Sequence, residues 1–364
     1  QNAACTLADG ISVRGGYAGV GAPDPNDRDY EVYRTILSGD LNGDDVEIQR
    51  PCDLPDEPTR SENSHHIVQC RGTYGTPILE GVSLTGATDR ALENARGNAE
   101  IIDCVFSGNA AHSEGGAINS QGQELVLTRC TFVANWAPGF GGAIYEGDAI
   151  RVVLTDCTFI GNQAGSGGAL ASGSADIIMA GCTFEQNAAE NQGALLVIGG
   201  TLAVIDCRFT GNSSPLLSTE AVGNGGAIGC FGDAEVSISD SLFEANSAAR
   251  GGAVYGDYNS REILLYDCVF RGNSAGQGGA LYGPYYSTVA NCVFEGNCAQ
   301  RGGASDSACA GPEFVNCTFV ANRAENGNAV ARYSCHGQPE KPVVMVNCIL
   351  WDGGKEIGTA QGGS

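Results

Sequence analysis

Basic residues are scarce in this chain: 19 Lys and Arg stand against 42 Asp and Glu, a formal charge of −23 over 364 residues. A nucleic-acid-binding role needs a basic stripe, and none is present. No apolar run reaches the roughly 18 residues of a membrane-spanning helix, so no span is expected. Histidine is almost missing, and His65, His66, His112 and His336 form no metal-ligand or triad spacing. The arginines that a glycosidase or lyase cleft would gather, Arg151, Arg208, Arg250, Arg261, Arg271, Arg301 and Arg323, fall in different repeat positions. An enzyme is therefore not expected, and no catalytic residue is assigned. There is no initiator Met and no signal peptide. The opening Gln1-Asn2-Ala3-Ala4-Cys5 reads as a processed, secreted chain, and 16 cysteines suit an oxidising, extracellular or cell-surface location.

What is abundant is glycine, at 54 residues, without a G-X-Y period or a Pro-rich tract. It belongs to a repeat. The pattern C-x-F-x-x-N starts at Cys104, Cys130, Cys157, Cys182, Cys207, Cys268, Cys292 and Cys317, with Ser241 in place of the cysteine once and a broken copy at Cys348. Several residues later comes a glycine pair, as in Gly141-Gly142-Ala143-Ile144 and Gly167-Gly168-Ala169-Leu170. The spacings run from 24 to 34 residues, the period of a solenoid.

The repeat columns separate inward from outward positions. Three residues before the cysteine the side chain is always apolar, from Ile101 and Leu127 through Phe314 to Met345. Strand side chains alternate with period two, so two inward positions three apart require a bend between them. The residue before the cysteine is Asp, Asn or Gly, the types that tolerate a left-handed backbone; Arg129 is the exception. Stacked about 4.8 Å apart, the asparagines from Asn109 to Asn322 are expected to form an amide ladder at the next corner. Three short strands and three corners per coil make an all-β, single-stranded parallel β-helix, right-handed by the crossover rule.

The paired Phe–Asn and Gly-Gly-Ala-Ile motifs resemble the repeats of polymorphic outer-membrane proteins and other secreted bacterial right-handed β-helix proteins. The resemblance covers roughly residues 70 to 350 and implies the fold; adhesins, lyases and inert stalks all use it. Gly15-Gly16-Tyr17-Ala18-Gly19, Thr35-Ile36-Leu37-Ser38-Gly39-Asp40 and Ile78-Leu79-Glu80-Gly81 look like opening coils of such proteins. One continuous domain is expected, with N-terminal coils and a loop excursion over 1–77, regular repeats over 78–350 and a tail over 351–364.

Both ends read as interrupted coils. Leu7, Ile11 and Val13 at one end and Ile349, Leu350 and Trp351 at the other are expected to be open to stacking on copies of the same chain, a heterologous contact that grows a filament. The leading expectation is an extracellular structural subunit of a head-to-tail homopolymer or surface assembly. The alternatives are a surface adhesin or carbohydrate-binding stalk, with a lyase or glycosidase behind both, and a piece of a longer surface protein.

Four further site expectations follow. Asp40, Asn42 and Asp44 have the alternating oxygens with which calcium loops begin, although Asp45 and Pro51 depart from the EF-hand pattern. Calcium is the one cofactor considered. Tyr145, Tyr255 and Tyr282 share one outward position and could bind glycans or another cell-surface component, or serve lateral packing. Cysteines in the repeat column are expected to be reduced core thiols, and disulfides to lie elsewhere, between Cys309 and Cys335 and between Cys5 and Cys52. The acidic residues before the cysteines are explained by the bend alone.

Overall fold

The computed structural model describes residues 4–71, 75–95, 97–147, 150–214, 223–283, 287–308, 311–333, 342–351 and 353–360. These form two compact units, Gln1–Ala175 and Asp176–Ser364.

In the first unit each coil contributes one strand to each of three parallel sheets. One sheet runs through Cys5–Leu7, Val68–Cys70, Leu92–Asn94, Ile118–Ser120, Ile144–Glu146 and Leu170–Ser172. The second runs from Ser12–Arg14 to Arg151–Thr155, and the third from Thr35–Ser38 to Thr158–Ile160. The second unit repeats the plan from Asp176–Ala180 through the coil made by Val344–Val346, Ile349–Trp351 and Ile357–Ala360. Register follows the sequence columns: Phe132 pairs with Phe106 and Phe159, and Phe270 with Phe243 and Phe294.

The bend sits where the alternation required it. Asp103, Asp156, Asp206, Asp240, Asp267, Asn291 and Asn316 all have φ between 51° and 57°. Each short side chain tolerates the left-handed backbone and lets the apolar residue before it and the cysteine after it both face inward. The phenylalanine ring that follows is wholly buried in every full copy. Neighbouring rings stack nearly parallel, 4.7–4.9 Å apart between Phe106 and Phe159 and 4.7–4.9 Å again from Phe184 to Phe294. That distance is the strand spacing, so the backbone dictates the stack.

The asparagine ladder forms in both units. Asn135 Nδ2 donates to Phe106 O (3.0 Å) and to Asn162 Oδ1 (2.9 Å), and its Oδ1 accepts from the amide and the backbone N–H of Asn109. In the second unit the same bonds link Asn187, Asn212, Asn246, Asn273, Asn297 and Asn322. Buried amides with every group engaged stabilise the corner that a buried unpaired amide would destroy.

A short fourth strand, such as Gln163–Ser166 or Ser274–Gln277, follows the asparagine in the middle coils and is additional to the three strands of the sequence pattern. The glycine pair then turns the chain. Gly141 has φ 62°, and a Cβ on Gly142 would collide with the carbonyl oxygen of Gly168 on the next coil. One glycine supplies the conformation and the other the close approach.

Candidate functional sites

The cysteine column is architecture. Cys130 Sγ donates to Ile101 O of the preceding coil at 3.3 Å and to Thr128 O of its own strand at 3.5 Å, and Cys317 Sγ likewise to Val289 O at 3.3 Å and Val315 O at 3.4 Å. Ser241 fills the same place by donating to the own-strand carbonyl, Ser239 O, at 2.7 Å. A thiol and a hydroxyl are interchangeable there because the position needs a small donor facing a neighbouring carbonyl. Burial pushes the pKa of the Cys104 thiol up to about 12, as it does that of Cys230, which lies outside the column in the strand Ile228–Phe231.

The expected clasp between Cys5 and Cys52 is not formed; both thiols are free. Cys5 is held in a strand opposite Val68, whereas Cys52 sits in the 3-10 helix Pro51–Asp56 beside Asp53. The pair Cys309 and Cys335 lies outside the described residues.

The acidic loop shares its place with a residue far along the chain. Asp40, Asp44 and Glu62 bring ligand oxygens within 4.8 Å of one another. Asp40 is partly engaged by backbone, with Oδ1 accepting from Gly43 at 2.6 Å. Burial tends to raise its pKa, but these N–H groups hold it below the ordinary value. Glu62 could not be found from a local motif, being 22 positions from Asp40. Beside it, Asp45 accepts from Asn63 at 2.8 Å, and buried Arg60 pairs with Asp45 while donating to Ala87 O and Gly108 O. Arg60 thus pins the 40–66 excursion onto the coils.

Tyr255 and Tyr282 do stack, 5.6 Å apart and within 3° of parallel. They are not an open platform. Tyr255 is only 9% exposed, packed against Phe231, with its hydroxyl pushed up to about 12 by burial. Arg250, from the fourth strand of its coil, lies over the Tyr282 ring at 5.6 Å. Tyr145, in the first unit, is half-buried and stacks on Phe140. The outward side of this sheet is covered by chain that the three-strand pattern did not anticipate. In the same covered layer Asp306, in register with Tyr282, is wholly buried and accepts from Arg301 Nε at 2.7 Å.

Of the residues expected at open ends, Leu7 is a core residue, 1% exposed, because it faces inward from a strand paired with Val68–Cys70. Ile11, Ile349 and Trp351 are exposed, and Val13 and Leu350 are intermediate. Among the described residues, no helix is long and apolar enough to cross a membrane.

Coils of parallel strands closed by left-handed bends, a phenylalanine stack and an asparagine ladder define a right-handed parallel β-helix repeat protein. Residues 66–243 match the family model of the right-handed beta helix region, and residues 267–284 match the Chlamydia polymorphic membrane protein repeat. The second match spans Asp267 to Pro284, one C-x-F-x-x-N motif with its Gly-Gly-Ala turn. The chain matches no curated protein and no solved structure.

Proposed function

We infer that this chain is a non-enzymatic bacterial cell-surface β-helix protein whose coils extend by end-to-end addition of further copies. The polymorphic membrane protein repeat supports the surface setting. The observation that carries the assembly is the coil from Val344 to Ala360. Its strands pair with the preceding coil on one edge, and Val344, Val346, Ile349, Trp351 and Ile357 are all exposed around it. A parallel edge flanked by exposed apolar side chains is a template for another strand.

Sedimentation and negative-stain imaging of the purified chain across a range of concentrations test this. End-to-end association is expected to grow with concentration, and the double variant I349K/W351E to remain monomeric with an unchanged melt. A wild-type chain that stays monomeric throughout overturns the assembly. Surface labelling of intact cells with antibody tests the location separately.

A further inference from the structure

Arg129 occupies a bend that every other copy gives to Asp, Asn or Gly, with φ 51°. The repeat imposes that backbone at this bend, and a long side chain there costs roughly 1–2 kcal/mol. Its guanidinium turns back to the bend residue of the preceding coil, with Nε to Asp103 Oδ1 at 2.7 Å and Nη2 to Oδ2 at 2.9 Å. Asp103 is almost covered, its side chain 7% exposed, while that of Arg129 is 52% exposed. The rest of the fixed guanidinium faces solvent and the Tyr30 hydroxyl, which is close enough to favour its charge.

The guanidinium borders a groove of about 480 Å³, within the roughly 300–1,000 Å³ of small-ligand sites. Its floor carries the outward side chains of Ser83, Val105 and Thr131, and its far wall is the segment Tyr30–Arg34. The wall is held in place. Asp29 Oδ1 accepts from the N–H groups of Glu31 and Val32, and Tyr33 N–H donates to Asp29 O at 2.7 Å. Tyr30 lies on Gly16, where an added Cβ would come within 2.9 Å of it. Arg28 ties the same segment to the coils through Glu80 at 2.7 Å and Gly15 O at 3.0 Å. Arg34 has no ion pair among the described residues and also lines the groove.

We propose that this groove binds a short neutral saccharide. Its charges balance, Arg34 and Arg129 against Glu31 and Asp103, so a phosphate or carboxylate ligand gains little net attraction. Few apolar side chains line it, which leaves a peptide without anchors. Alternating donors and acceptors instead suit hydroxyl groups, each of which both donates and accepts, and the Tyr30 ring offers an apolar face beside them. The site is distinct from the tyrosine pair, and a chain that fails to assemble is expected to bind equally well.

A printed array of neutral, sialylated and uronate-containing oligosaccharides, followed by calorimetry with a neutral hit, provides the test. Neutral hits are expected, with affinity lowered at least tenfold by Arg129→Asn and by Tyr30→Ala. Asn suits the left-handed bend but leaves the nearly covered Asp103 carboxylate unpaired, so the first variant is expected to melt lower. The double variant Asp103→Asn/Arg129→Asn, which removes that charge, is expected to recover the melt while binding as weakly as the single variant. Arg151→Asn, which loses only the exposed pair with Glu124, is expected to bind normally. No neutral hit, hits confined to anionic glycans, or neutral binding that both groove variants leave intact would each overturn the proposal.

Discussion

Arg301 donates from Nε to Asp306 Oδ2 at 2.7 Å, and the carboxylate that accepts has no exposed surface. Its other oxygen, Oδ1, has no partner. One guanidinium bond and the nearby charge of Arg250 do not offset the loss of water, so burial lifts Asp306 to about 6. A carboxyl raised above its unfolded value of 3.8 stabilises the fold fully below that value, and the contribution is lost as pH rises through about 6. Relative to Asp306→Asn, the wild type is expected to gain stability on the order of 2 kcal/mol between pH 7 and pH 4. Urea melts at intervals across that window check it. Parallel stability curves for the two proteins would show that Asp306 does not titrate there.

The asparagine ladder makes a sharper demand. Asn273 Oδ1 accepts from the backbone and the amide of Asn246, and its Nδ2 donates to Phe243 O and Asn297 Oδ1. Asn273→Ala removes these four buried hydrogen bonds and is expected to cost about 3–5 kcal/mol. It leaves the Asn246 backbone N–H without its acceptor, while Asn246 Nδ2 keeps Phe209 O and Asn297 Oδ1 keeps the Asn273 N–H. Asn273→Asp keeps the acceptor but loses both donors and is expected to be destabilised at neutral pH. Chemical denaturation of both variants measures the effect, and a loss below about 1 kcal/mol would mean that water replaces the rung.

Thiol chemistry should separate the cysteines by place in the coil. Cys5 and Cys298 are exposed, whereas Cys70, Cys104 and Cys230 are buried thiols with pKa pushed up to about 12. Maleimide at neutral pH is expected to label the first pair within the native chain and the buried three only in denaturant. Peptide mapping by mass spectrometry reads the order. Rapid native labelling of Cys104 would show that the coils open locally.

Asp40, Asp44 and Glu62 point three carboxylates at one place. Millimolar calcium is expected to raise the melting temperature by relieving their repulsion, and Glu62→Gln to raise it by one or two degrees without calcium. A melt indifferent to calcium and to chelator removes a cation from this loop.

The repeat made the fold legible because each coil repeats the same local constraint. The bend before Cys268 and the corner at Asn273 follow from residue type and strand alternation alone, and both stand where the pattern put them. What covers a face is a different kind of question. Tyr255 reads as outward by alternation and is outward in register, yet it is buried, packed between Phe231 and Tyr282 with Arg250 of an extra strand close by. Glu62 was invisible for a related reason: the excursion after Asp40 returns to it through the folding of a non-repeating loop. Arg129 was visible as a break in a column, but its meaning required Asp103 and the wall at Tyr30.

The ladder also gives the coils a sense. Every described rung hands a proton-bearing nitrogen toward the later coil and an oxygen toward the earlier one, as Asn246 does to Asn273 and Asn273 to Asn297. The row is bounded: Ala87 stands at this corner in the coil before Asn109, and Gly353 in the coil after Asn322. The amide column is therefore an internal one-way chain of donors and acceptors, and the coils that flank it carry no rung.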